Sequence, residues 1–175
     1  IDEFFANIYS GDLSAVKDQL QEEFALQSTI ALVILLFAFA LLGVTVFSTF
    51  LQIPQAKILW LLTAMSLFAG GWFYFGAEST PLWNGSIAIT TAGYEISRMY
   101  YGFFASCLVV TFLNDRLKFI GKSFASLLGV AVAGLIMVPA ITGMKIYDVQ
   151  LIWMIVQAVV GVGIAILCVM NLAQK

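Results

Sequence analysis

The residues with chemical potential are concentrated in one stretch. Residues 94–113 read YEISRMYYGFFASCLVVTFL, the only apolar run with both an acid and an arginine in its opening turns. Glu95 and Arg98 are three residues apart, which puts them on one face of a helix, and Tyr100 and Tyr101 complete a candidate polar cluster. An acid, a guanidinium and phenols so placed could hold a substrate, an ion or a proton. An ionisable residue within a membrane helix is a functional-site hypothesis by default, because leaving it unpaired there costs about 2.5 to 3.5 kcal/mol even on lenient scales. Counted from Ile96, however, the run alone is long enough to cross a bilayer, so the charge is expected at the membrane edge. There Arg98 can snorkel to water, with Glu95 as its local partner.

What is missing narrows the chemistry further. The chain has no histidine, which removes histidine-ligated haem or chlorophyll, histidine proton relays and most transition-metal sites. Cys107 and Cys168 both lie in apolar runs, where a free thiol behaves as a small hydrophobe. The sequence offers no nucleotide loop and no paired intramembrane carboxylates, so neither an enzyme nor a resident cofactor is expected. Without a basic tract, nucleic acid is not a partner. Aromatic residues make up 14 % of the chain, as expected for interfacial belts and lipid contact. A bound pigment would need amide or carbonyl oxygens, such as those of Gln157 or Asn114, or water as its ligand.

The elements that must position these residues follow from hydropathy. Of the 175 residues, 62 % are hydrophobic and only 10 % charged, the composition of a protein that crosses the membrane several times. The expected fold is an all-α membrane protein with five spans, at about 25–50, 56–76, 94–113, 119–143 and 148–171. A short amphipathic helix within 1–24 precedes them and a tail, 172–175, follows. In the amino-terminal arm Leu13, Val16, Leu20 and Phe24 recur at helical spacing, with Asp12 as N-cap and Phe4, Phe5, Ile8 and Tyr9 as interfacial anchors. Between the second and third spans, Asn84-Gly85 and the strand-like Ile87–Thr91 predict a small hairpin. The chain begins at Ile1 with no initiating methionine or recognisable signal sequence, as expected of a polypeptide that has lost a targeting segment or is part of a longer one.

Small residues mark the expected packing faces. Ala125, Gly129 and Ala133 recur at four-residue intervals with Gly134 beside them, and Gly161 and Ala165 form a second stripe. Such spacing lets helix backbones approach closely in lipid. By this reading Gly129→Leu harms assembly more than Arg98→Gln. Five spans place Lys57, Arg116, Lys118, Lys122 and Lys175 on one side and most acids on the other, so the amino terminus faces the extracytoplasmic or lumenal side. An organellar inner membrane or a thylakoid would suit such a chain.

The order of parts resembles the first five helices of the microbial rhodopsins: amino terminus outside, a hairpin after the second span, a third span opening on arginine and aromatics, and a glycine-rich fourth. The family's third helix carries arginine, tyrosine, any residue, acid and tryptophan. Aligned on Arg98, this chain has Met99, Tyr100, Tyr101 and Gly102, then Ala105 and Cys107. Tyr101 thus stands where the resemblance implies a counter-ion, and Gly102 where it implies a retinal-packing tryptophan. The seventh-helix lysine that binds retinal has no equivalent, since every lysine lies at a span end or in a loop. The expected function is therefore a non-catalytic accessory subunit of a larger membrane complex, such as an energy-transducing, photosynthetic or respiratory one. Its partners would be other membrane subunits, lipids or pigments. The alternative is a small transporter, or a retinal-type photoreceptor or ion pump if the chain is an incomplete seven-helix protein, using Arg98, Glu95 and Tyr101.

Overall fold

A computed structural model describes residues 13–76, 87–143 and 146–174, and these form five α-helices with no strand among them. They are α1 (Leu13–Phe50), α2 (Ala56–Gly76), α3 (Ile87–Thr111), α4 (Asp115–Thr142) and α5 (Gln150–Ala173), with a 3-10 turn, Ile146–Val149, leading into α5. Four helices contain stretches long and apolar enough to cross a membrane: Phe24–Phe50, Ala56–Gly76, Asp115–Pro139 and Gln150–Ala173. Such a set marks an integral membrane protein. The expected third span, inside α3, does not meet the same standard of hydropathy, because Glu95, Arg98 and the tyrosines dilute its apolar residues.

Two expected boundaries move. The arm and the first span are one continuous helix, Leu13–Phe50, with no break near residue 24. Asp12 and the anchors Phe4, Phe5, Ile8 and Tyr9 lie outside the described residues. Asn84-Gly85 of the expected hairpin also lies outside them, but its strand-like part, Ile87–Thr91, is the opening of α3. Strand propensity is overridden here by packing. Gly93 in the next turn brings the α3 backbone against Phe75, so that a methyl group at Gly93 would sit 2.7 Å from that ring.

Small and hydroxyl-bearing residues join α1 to α2. Ala31, Ala38 and Thr45 recur every seven residues on α1 and are fully buried, facing Thr63, Ser66 and Gly70 of α2. Thr45 and Thr63 share a buried hydrogen bond of 3.0 Å, and Trp60 Nε1 donates to Thr49 Oγ1. Close backbone approach and inter-helix hydrogen bonds are what hold helices together where the solvent is itself apolar. The α1–α2 turn is a Schellman closure: Ile53 N–H donates to Ser48 C=O and Gln52 N–H to Thr49 C=O, with Gln52 at φ 55°.

Aromatic rings join α2 to α3. Phe68 stacks on Tyr100 at 4.8 Å and on Phe104 at 5.6 Å, while Trp72 meets Tyr101 at 5.6 Å. On the opposite side of α3, Met99 enters a buried core with Leu128 and Val132 of α4 and Trp153, Val160 and Ile164 of α5. The α3–α4 turn is pinned by Asn114, whose Oδ1 caps Leu117 N–H and whose own N–H donates to Asn171 Oδ1 of α5. α3 is therefore the central helix, with α2 on one side and α4 and α5 on the other.

The expected packing stripes are only partly inside. Ala125 is buried and Gly129 half-buried against Phe103, but Ala133, Gly134, Gly161 and Ala165 face outward. The glycine that α5 uses internally is Gly163, which receives the Phe124 ring.

Candidate functional site

Starting α3 at Ile87 rather than Tyr94 changes the position of the charges. Arg98 lies midway between Ile87 and Thr111, about 16 Å along the axis from the first residue by helix rise. It is a mid-helix residue. Its side chain turns onto Glu95, with Nη2 to Oε2 at 2.7 Å, and the two side chains keep only 17 % and 4 % of their surface exposed. The pairing with Glu95 expected from their spacing is formed. No other ion pair forms among the described residues.

The surroundings of this pair come from three helices. Glu95, Met99 and Gly102 share a face of α3 by their spacing, and on that face Met99 packs with Trp153 of α5. Gly102 leaves room for Gln157: a methyl group there would meet Gln157 Nε2 at 2.9 Å and Trp153 Cζ2 at 3.6 Å. At the other edge, Arg98 lies over the Tyr94 ring at 5.6 Å. A cation so placed gains about 0.5 to 2 kcal/mol from the ring quadrupole. Ser97, one residue back, fits against the bare backbone of Gly71 in α2.

Two of the four residues in the expected cluster are brought together and two are not. Glu95 and Arg98 pair, whereas Tyr100 and Tyr101 point at α2, Tyr100 stacking on Phe68 and Tyr101 meeting Trp72 at a tilt. Tyr94 takes the place expected of them beside Arg98. Trp153 was not apparent from sequence as a site residue, although an aromatic four residues before Gln157 on one helical face was a usable signal.

Chemically, the site is a carboxylate and a guanidinium in contact and mostly buried, with two N–H donors, one on Arg98 itself and one on the Trp153 that packs with Met99, lacking a protein acceptor. Arg98 Nε and Trp153 Nε1 are both buried without a hydrogen-bond partner among the described residues. Buried donors of this kind each cost about 1 to 3 kcal/mol if left unmade. No group of three metal-ligating side chains occurs among the described residues. Comparison of the chain with protein-family models, with curated proteins and with solved structures finds no match.

Proposed function

We propose that this chain is a five-span membrane protein with an internal proton- or ion-binding site at Glu95–Arg98, of the transporter, photoreceptor or ion-pump class. One observation carries the reading: the ion pair sits in the middle of the central helix, shielded from water, and not at a helix end. A buried charge pair is poor evidence for stability, since apolar replacement is often as stable, and intramembrane charges mark ion and proton pathways. In this topology α3 is the third span, its charges tolerated because α2, α4 and α5 surround it. Lys57, Arg116, Lys118 and Lys122 then lie on the cytoplasmic side, with the amino terminus opposite. The arginine of the microbial-rhodopsin pattern is kept, and its acid partner is moved from the Tyr101 position to Glu95.

The test uses the full chain in vesicles with an entrapped pH dye, under an imposed pH gradient, a voltage or illumination. Proton movement that disappears in Glu95→Gln supports the reading, and a wild-type protein silent under all three drives refutes it.

A second reading, a non-catalytic subunit of a larger membrane complex, has its own observation. Gly134 and Gly161 are exposed with no atom within 4 Å of a Cβ built there, and Ala133 and Ala165 beside them also face outward. Faces of small residues suit a partner helix. Stoichiometric co-migration with other subunits from native membranes favours this reading, and isolation as an independent, transport-active protein excludes it.

A further inference from the structure

A groove with a volume of about 600 Å³ runs between α3 and α4, away from the ion pair. Its floor is apolar, with Phe103 and Cys107 on one wall and Gly129 and Ala133 on the other, while Lys118 and Lys122 close one end. The two lysines are four residues apart and so share a face of α4. Lys118 is half-buried and Lys122 exposed, and neither has an ion-pair partner among the described residues. From Lys118 to Ala133 the groove extends about 22 Å along α4 by helix rise, enough for one leaflet's hydrocarbon, half of about 30 Å, plus the headgroup zone. Gly129 and Ala133, which were expected to admit another helix, instead hollow out this channel.

We propose that the groove binds an anionic phospholipid, with one acyl chain along Phe103, Cys107, Gly129 and Ala133 and the phosphate between Lys118 and Lys122. The argument is charge complementarity at the correct depth. A hydrocarbon-lined trough in the span leads to two unpaired ammonium groups near the α3–α4 turn, where Asp115 and Arg116 cancel in formal charge without forming an ion pair. Basic pockets between membrane helices on the positive side recognise anionic headgroups. Neutral lipid would fill the trough but leave the lysines unmatched. The assignment depends on the chain spanning the membrane and not on any role of Glu95 or Arg98.

The full chain is purified in a neutral detergent and equilibrated with equal amounts of phosphatidylglycerol and phosphatidylcholine, and retained lipid is read by native mass spectrometry. The expected result is a preference of roughly thirtyfold for phosphatidylglycerol, from two lysines near one phosphate. The double change Lys118→Gln and Lys122→Gln brings the two lipids to parity, whereas Lys57→Gln, which removes one charge elsewhere, leaves the preference intact. Ala133→Leu, on an outward position, lowers retention of both lipids without changing their ratio. Parity in the wild type overturns the proposal, as does a loss in Lys57→Gln equal to that in the double variant. Displacement of the lipid by glycerol phosphate alone overturns it too, since the occupant would then be a free anion.

Discussion

Glu95→Gln is the substitution that most directly tests the buried ion pair. The amide keeps the shape of the carboxylate and removes its charge, leaving the Arg98 guanidinium with the Tyr94 ring as its remaining charge-sensitive contact. Removing one partner of a buried pair costs about 3 to 5 kcal/mol. Arg98 keeps 17 % of its side-chain surface, and the ring retains part of the attraction, so the lower end, about 3 kcal/mol, is expected. For a chain of this size that corresponds to a midpoint lower by roughly 6 to 12 °C. Cys107 and Cys168 are both half-buried, so unfolding in detergent can be followed with a dye that fluoresces on reacting with exposed thiols. Arg98→Gln and the double variant complete a thermodynamic cycle. The coupling between the two sites should be about 2 kcal/mol, against about 0.3 to 0.5 for an exposed helical pair. Coupling below about 0.5 kcal/mol would mean that the two charges are solvated, and the internal site would be lost with it. On the ion-pair argument Arg98→Gln should lower the midpoint at least as much as Gly129→Leu, whose first carbon would press on the Phe103 ring at 2.9 Å.

The remaining expectations concern packing. Gly70→Val should destabilise by about 1 to 3 kcal/mol through overpacking, since its first carbon would lie 2.7 Å from Leu35; the midpoint in the thiol-dye scan reads this. Thr63→Val should cost about 0.6 to 1.7 kcal/mol, the range for one hydrogen bond between membrane helices, because Thr45 then loses its partner. Gln52→Gly should be neutral or stabilising by up to about 1 kcal/mol, because it relieves a left-handed conformation; a clear loss would show that the Gln52 side chain has a role of its own. Gly134→Leu and Gly161→Leu should leave the midpoint unchanged, since both positions open outward. Loss of co-migrating subunits in either variant, with folding intact, would locate a partner on that face.

The helices could be read from sequence where hydropathy was strong, and were misread where it competed with local propensity. The short turns have local chemical causes: a proline at position 54 cannot continue a helix, and the Asn114 side chain caps the start of α4. Ile87–Thr91 reads as a strand because β-branched residues favour strands in isolation, while the helix there is held by a contact, Gly93 on Phe75, that is remote in sequence. Starting the helix at Tyr94 omits seven residues, which moves Arg98 from the middle of α3 to its opening turns. Pairing of Glu95 with Arg98 is legible from spacing, but burial is not, since it depends on helices remote in sequence: α5 packs Trp153 with Met99 and α2 places Gly71 against Ser97. The stripe of Ala31, Ala38 and Thr45 was visible as a seven-residue repeat, yet it hid in a helix so apolar that no face stood out.

The uninterrupted α1 also has a mechanical consequence. At 38 residues it measures about 57 Å, nearly twice the thickness of a bilayer's hydrocarbon. The portion before Phe24, which includes the exposed Asp18 and Glu22, therefore continues the first span as a stiff mast of about 16 Å. Force or torque applied at its tip would reach the Thr45–Thr63 contact without a hinge to absorb it, so whatever engages the mast also acts on the seam between the first two helices.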